Sequence, residues 1–328
     1  MSTRFTRWLL LSLGLVLGTG LRASAQPSAS SRPGCQLRVA TGQKGKHFSR
    51  LLRDIESVCG AQVSLCELPT EGGLHNSVAL SANEADLGFV QLDTLLSMRD
   101  SDESIGALRA VLPANANLLH IVVLRAGFKL QGERSLTNLF RRAERTQVVG
   151  RASELRGLPV ALVGSAQLLA RAVDRAYNLE LRMQDAPNDE RALEALRAGE
   201  VAAVLTMSGW PNALVEQQAR AADLALAAYD LPLQAPYQVV HKNYPKLGVY
   251  GMAFLAAPNL LVTRPFKPDG ERGRQVASLQ RCVLANLDSL REGSYEPAWK
   301  EIKNPAESYG WPRFGGLEAA SSSQRQAE

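Results

Sequence analysis

The sequence predicts an α/β chain of two lobes with a ligand cleft between them. Three observations carry this reading. Strand-like and helix-like segments alternate from about residue 36 onward. The alternation runs through twice, once before about residue 122 and once after about residue 158. Two long apolar stretches, near Leu119–Leu124 and Met252–Val262, are placed to join the lobes as crossover strands. In open α/β sheets ligands bind beyond the carboxyl ends of strands, so the loops after strands are where site residues are expected.

The chain opens with the features of a secretory signal peptide. Arg4 and Arg7 precede an apolar run from Trp8 to Leu21, and Ala23-Ser24-Ala25 stand before Gln26. That run is about 14 residues, against the roughly 20 needed to span a bilayer. Cleavage after residue 25 would make the protein periplasmic. It would remove Arg4, Arg7 and Arg22 and no acid, taking the formal charge from +5 to about +2. Such a weak charge, with no basic–aromatic interleaving, argues against nucleic acid as a partner. Residues 26–34, "QPSASSRPG", read as a disordered leader.

"QLRVATG" reads as the first strand, followed by Phe48, Leu51, Leu52 and Ile55 at helical spacing. Between them, Ala40-x-x-x-x-Gly45-Lys46-His47 falls one residue short of a phosphate-binding P-loop. That loop needs Ser or Thr after the lysine to hold magnesium, and His47 stands there. The next segments are a strand from Gln62 to Leu68, a short helix in "LHNSVALSAN" and a strand in "ADLGFVQ". After the first crossover come "LPVALVG", "SAQLLARAVDRAYN", "LRMQDA", "DERALEALRAG" and "VAAVLTM", again strand and helix in turn. The strand-like "GVYGMAFLAAPNLLVTR" and a long helix, "GERGRQVASLQRCVLANLDSLRE", complete the pattern. The expected organisation is lobe 1 over 35–122, lobe 2 over 123–247, a return crossover and C-terminal helix on lobe 1 over 248–310, and a flexible tail over 311–328.

An exported chain permits disulfides among Cys35, Cys59, Cys66 and Cys282. Cys35 precedes the first strand and Cys59 the second. If those strands are parallel neighbours, both cysteines lie at one end of the sheet, and Cys35–Cys59 is the expected bridge. Cys66 and Cys282 stay open between bridging and buried free thiols.

Four pieces in order, "ATGQKGKHFSRLLRDI", "LPTEGGLHNSVALSANEADLGFVQLD", "LHIVVLR" and "ALEALRAGEVAAVLTMSGWP", resemble the TAXI-type solute receptors of TRAP transporters, a branch of the type 2 periplasmic binding proteins. The stretch Thr70–Asp93 carries the resemblance most specifically, and the whole covers roughly residues 36 to 300. It implies a type 2 periplasmic-binding-protein fold that closes on a small organic anion of the amino acid or dicarboxylate class. Such a receptor hands its solute to a membrane permease and needs no cofactor. The chain departs from the family at Gly164-Ser165-Ala166-Gln167, where a Gly-Ser-Gly-Thr-like turn is common, and in the basic stretch Phe140–Glu154. That stretch reads as a solvated surface helix or a docking patch.

The residues themselves supply a candidate cleft. In the first loop Thr41, Gly42, Lys44, Lys46, His47 and Phe48 combine a helix N-terminus with positive charge. The second loop offers Thr70, Glu71, Gly72 and Gly73, with Asn76 in the next helical turn, and Gln91 and Asp93 end the third strand. Gly164, Ser165, Gln167, Ser208, Gly209 and Trp210 form the opposite wall. Each has a plainer reading: solvated lysines, turn-forming glycines, an N-cap for Asp93, and lobe-core packing for Trp210. A metal site from His47, His75, Glu71 and Cys66 follows no compact ligand motif. No Gly-x-Ser-x-Gly elbow is present, so catalysis is not expected. The alternative to a transport receptor is the same fold serving as a sensor or protein-interaction module for a signalling partner.

Overall fold

The computed structural model describes residues 34–130, 145–218, 223–232 and 235–315. The signal segment, leader residues 26–33, residues 140–144 of the basic stretch and tail residues 316–328 lie outside the described residues. The first lobe is built from β1 (Leu37–Gly42), α1 (His47–Cys59), β2 (Leu65–Pro69), α2 (Gly73–Ser81), β3 (Leu87–Gln91), α3 (Leu92–Met98) and α4 (Glu103–Gly106). The long strand β4 (Arg109–Leu124) leads out of it. A small ribbon of β5 (Phe128–Leu130) and β6 (Arg145–Gln147) precedes β7 (Pro159–Val163), α5 (Ala166–Tyr177), β8 (Arg182–Ala186) and α6 (Asp189–Arg197). Then follow β9 (Ala203–Ser208), α7 (Ala213–Gln218), β10 (Leu224–Ala227) and β11 (Gln238–Tyr244). The return strand β12 (Val249–Thr263) leads to α8 (Glu271–Ala285) and α9 (Leu287–Glu292).

The two lobes repeat one plan. In the first, β2-β1-β3 pair in parallel; in the second, β8-β7-β9 do the same. Two strands belong to both lobes. β4 pairs antiparallel with β12 up to Leu118, then with β9 and β10 beyond it. β12 pairs with β11 up to Ala256, then runs between β3 and β4. The hinge is therefore the Leu118↔Ala256 crossing, and the α/β class, the two lobes and the two connecting strands stand as read from the sequence.

Helical spacing explains the layers. Phe48, Leu51, Leu52, Ile55 and Cys59 of α1 are all buried and pack, with Val276, Leu279 and Val283 of α8, against one face of the first sheet. Burial is worth about 1.5–3 kcal/mol for each large apolar side chain. Ala79 and Leu80 of α2 and Leu92 and Leu95 of α3 cover the other face. In the second lobe Leu169, Ala170 and Val173 of α5 cover one face, and Ala192, Leu193 and Leu196 of α6 the other. Asn188 caps α6 by accepting from Arg191 N–H at 2.9 Å.

Three expectations are corrected. The bridges are Cys35–Cys66 and Cys59–Cys282, not Cys35–Cys59. The strands are parallel neighbours as expected, but Cys59 sits on the buried face at the end of α1, which packs on α8 and so meets Cys282. Cys35 instead meets Cys66 on β2, and neither Cys66 nor Cys282 is a free thiol. The terminal helix breaks at Asn286, whose amide donates to Cys282 O at 2.9 Å and offers the backbone an alternative to continuing. The chain also stays in the fold past residue 310. Trp311 and Phe314 are buried, and Ala110 exchanges backbone bonds with Pro312 and Phe314.

Candidate functional site

The carboxyl ends of β1, β2 and β3 form one wall. β1 ends at Gly42, whose φ of +79° favours glycine. A side chain there would lie 3.2 Å from Gly72 Cα, so the first two loops touch backbone to backbone. Asn76 fastens this wall. Its Oδ1 accepts from Gly42 N–H at 3.1 Å and from Thr70 Oγ1 at 2.5 Å, and its Nδ2 donates to Phe89 O at 2.7 Å. Every hydrogen-bonding atom of Asn76 is thus used to tie three strand ends together. Thr41 donates to Glu67 at 2.8 Å, and Phe48 stacks on Phe89 with centroids 5.1 Å apart. Lys44, Lys46 and Glu71 are exposed, Glu71 accepting from Gln43 at 3.0 Å.

His47 opens α1 and points across the cleft. Its Nδ1 lies 3.0 Å from Glu296 Oε1, and Arg50 binds the same carboxylate through Nε at 2.8 Å and Nη2 at 2.9 Å. Burial alone would raise the Glu296 pKa, but the hydrogen bonds from His47 and Arg50 outweigh it and hold the group at about 2. An ionised Glu296 has no proton to give, so Nδ1 donates and Nε2 faces the cleft. Nε2 is buried without a partner, and Gly209 of the other lobe sits so close that a Cβ there would meet the ring at 3.0 Å.

Gln91, at the end of β3, is the hub. Its Oε1 accepts from Asn117 Nδ2 at 3.0 Å and from Ser165 Oγ of the second lobe at 2.8 Å. A side chain on Gly73 would lie 4.0 Å from the same oxygen. Asp93 follows, accepting from Thr94 N–H at 2.8 Å and from Tyr237 O–H at 3.4 Å, the latter also crossing between lobes. Burial pushes the Asp93 carboxyl up, against the lowering bonds from Thr94, Tyr237 and Gln91.

On the second wall Gly164 is exposed, and Ser165, Gln167 and Ser208 are half-buried. Ser208 Oγ donates to Gly209 O at 2.9 Å. Trp210 donates to Asn243 O at 3.3 Å, and Lys242 lies 4.7 Å over its ring while pairing with Glu301 at 2.5 Å. The structure therefore brings together His47, Gly73, Gln91, Asp93, Ser165 and Gly209. Thr41, Phe48, Thr70 and Asn76 stand behind the wall, and Lys44, Lys46 and Glu71 stand outside it.

Sequence reading missed three asparagines at the hinge. Asn115 and Asn117 on β4 and Asn259 on β12 are all buried. The signal was present as polar residues interrupting long apolar runs, in "PANAN" and "APNLL". It also missed Tyr237 and Glu296. The arrangement offers amides, hydroxyls, an imidazole and a carboxyl, a set suited to holding a polar solute by hydrogen bonds. Among the described residues no group of three or more His, Cys, Asp or Glu could hold a metal ion, and Cys66, within its disulfide, is no thiolate ligand. Among the described residues no helix is long and apolar enough to cross a membrane.

No protein-family model and no curated protein matches the chain. Among solved structures it is similar to an amino acid ABC transporter substrate-binding protein of Streptococcus pneumoniae bound to L-arginine. That match has 15% identity and a TM-score of 0.47, covering 84% of this chain and 96% of that one. It is similar also to the GluR0 ligand-binding core with L-glutamate, at 14% identity and a TM-score of 0.42, covering 76% and 93%. A third likeness is the effector-binding domain of QuiR with shikimate, at 8% identity and a TM-score of 0.44, covering 74% and 94%. What each of those proteins binds is a property of that protein.

Proposed function

We propose that this chain is an extracytoplasmic solute-binding receptor without catalytic turnover. It would capture a small organic solute between its lobes and deliver it to a membrane permease of the TRAP type or to a sensor protein. The observation that carries the reading is the meeting of strand ends from both lobes on one set of polar side chains: Gln91 with Ser165, Asp93 with Tyr237, and His47 against Gly209. A hinge of two shared strands beneath such a contact lets the lobes open and close as bodies. The signal-like first 25 residues support export, and the resemblance over Thr70–Asp93 supports the amino acid or dicarboxylate class. An anionic group would meet the N-termini of α1 and α2 and the His47 ring.

A thermal-shift screen of residues 26–328 against amino acids and mono- and dicarboxylates tests the proposal. A solute at 100 times its Kd adds about 2.7 kcal/mol of stability. Saturable stabilisation by one solute class is expected. A folded protein that responds to none of them would overturn the reading.

A further inference from the structure

The segment after α9 belongs to lobe 1 and reaches lobe 2. It consists of Glu296 and the 3₁₀ turn Pro297–Glu301. Ala298, Trp299 and Ile302 are buried in the core of the first lobe. Trp299 Nε1 and the Glu296 N–H both donate to Asp54 of α1, at 2.9 and 2.8 Å. From this anchor two carboxylates are engaged at the contact between lobes. Glu296 binds the His47 ring that meets Gly209. Glu301 pairs with Lys242 at 2.5 Å, and Lys242 lies 4.7 Å from the centroid of the Trp210 ring. Gly209 and Trp210 are consecutive in the loop that leaves β9, so one segment of lobe 1 grips one loop of lobe 2 at adjacent residues.

Lys242 is carried by the second lobe. It lies on β11, whose Tyr244 is buried in that lobe's core with Phe254 of β12. Trp210 packs against the same core and donates to Asn243 O at 3.3 Å. In register Lys242 stands opposite Met252, four residues before Ala256 at the hinge. At about 3.3 Å per residue this is about 13 Å from the Leu118↔Ala256 crossing. A lobe rotation of about 15° moves a point at that radius by about 3.4 Å, enough to part a direct ion pair.

Fully solvated ion pairs contribute little. This one is different in its surroundings: the Lys242 and Glu301 side chains are only 18% and 22% exposed, and the Trp210 ring faces the ammonium. Both ends are also fixed, Glu301 by the anchored turn and Lys242 by its strand, so little side-chain freedom is lost when they meet. We propose that the Lys242–Glu301 pair, stacked on Trp210, is a clasp that holds the two lobes together, so that the cleft opens only when this pair parts. The clasp lies apart from Gln91, Asp93 and Ser165, and it acts whether or not the cleft takes a solute.

Small-angle X-ray scattering of residues 26–328 without solute tests it. Lys242→Glu sets two carboxylates against each other and should enlarge the radius of gyration by about 1 Å on about 19 Å. Glu301→Lys opposes two cations and should do the same, which keeps the test decisive if Lys242→Glu folds poorly. The two substitutions together re-form the pair with its signs exchanged and should return the radius to that of wild type. A chain that stays as compact as wild type in both single variants overturns the inference, as does an expansion that the exchanged pair does not reverse. Solute binding in a chain whose radius never changes would leave the receptor reading standing and remove the clasp. Reversible expansion in a chain that binds no solute would do the opposite.

Discussion

Glu296 allows a prediction that joins stability to the cleft. Its carboxylate is held by Arg50 at 2.8 Å and His47 at 3.0 Å, and its side chain is 11% exposed. Its own N–H donates to Asp54, which also accepts from Trp299 at 2.9 Å, so the segment is fastened to α1 at two points. The carboxyl titrates at about 2 in place of the ordinary 4.5. At about 1.4 kcal/mol per pH unit this corresponds to roughly 3 kcal/mol. Arg50 keeps 43% exposure, and solvent screening reduces the figure to about 2 kcal/mol. The folded-state pKa lies below the unfolded one, so this stabilisation is complete above about pH 4.5 and is lost as the pH falls toward 2. Glu296→Gln should therefore lose about 2 kcal/mol in urea denaturation at pH 7 and progressively less toward pH 2. With its Nδ1 partner neutral, His47 should also lose its fixed orientation, and solute affinity should drop. A variant as stable as wild type at pH 7, or one with an unchanged deficit at pH 2.5, would refute the reasoning.

Other predictions follow from the same structure. His120 is fully buried, its Nε2 2.7 Å from Tyr244 Oη, which in turn accepts from Asn212 N–H at 2.9 Å. Burial holds its pKa at about 4 instead of 6.5, so the unfolded chain takes up the proton first and stability should fall as the pH drops from 6.5 to 4. His120→Gln should flatten that window and leave the one below pH 4.5 intact; a wild-type slope in the variant's denaturation series would reject the assignment. The bridges should differ in weight, because Cys59–Cys282 spans 223 residues and Cys35–Cys66 spans 31. Chain entropy assigns them roughly 5 and 4 kcal/mol at most. Paired serine replacements compared by guanidinium denaturation should keep that order, and the reverse order would show that the entropy account fails here.

What the sequence made legible was whatever depends on a periodic apolar pattern. α1 and α5 could be read because their buried faces recur every three or four residues. β4 and β12 could be read because strands shared by two lobes are buried along much of their length. β11 was missed because "QVVHKNY" alternates exposed and half-buried residues on a sheet edge. The disulfides were misread because strand adjacency alone does not say which face of α1 carries Cys59. Within the site, Gln91 was visible as a polar residue ending a strand and Asp93 as one just beyond it, in the first turn of α3, as were Ser165 and Gly209 in their loops. Asn76 was visible too, yet its side chain bonds to Gly42, Thr70 and Phe89 behind the wall. Glu296 and Tyr237 were not visible, since each reaches the cleft from distant sequence. The hinge amides were hidden for a different reason: within an apolar strand pattern, three asparagines look like interruptions until pairing sets Asn259 opposite Gln91 and Gln91 in contact with Asn117.

The central claim is that a solute is held where the lobes meet. It is tested most directly by calorimetric titration of the tightest-binding solute into wild type and Gly209→Val. A side chain at Gly209 would start 3.0 Å from the His47 ring, at the contact between lobes. The account predicts one site per chain in wild type, binding at least about tenfold weaker in the variant, and melting temperatures of the solute-free proteins within a few degrees of each other. Wild-type affinity in Gly209→Val would place the solute somewhere other than between the lobes and contradict the account.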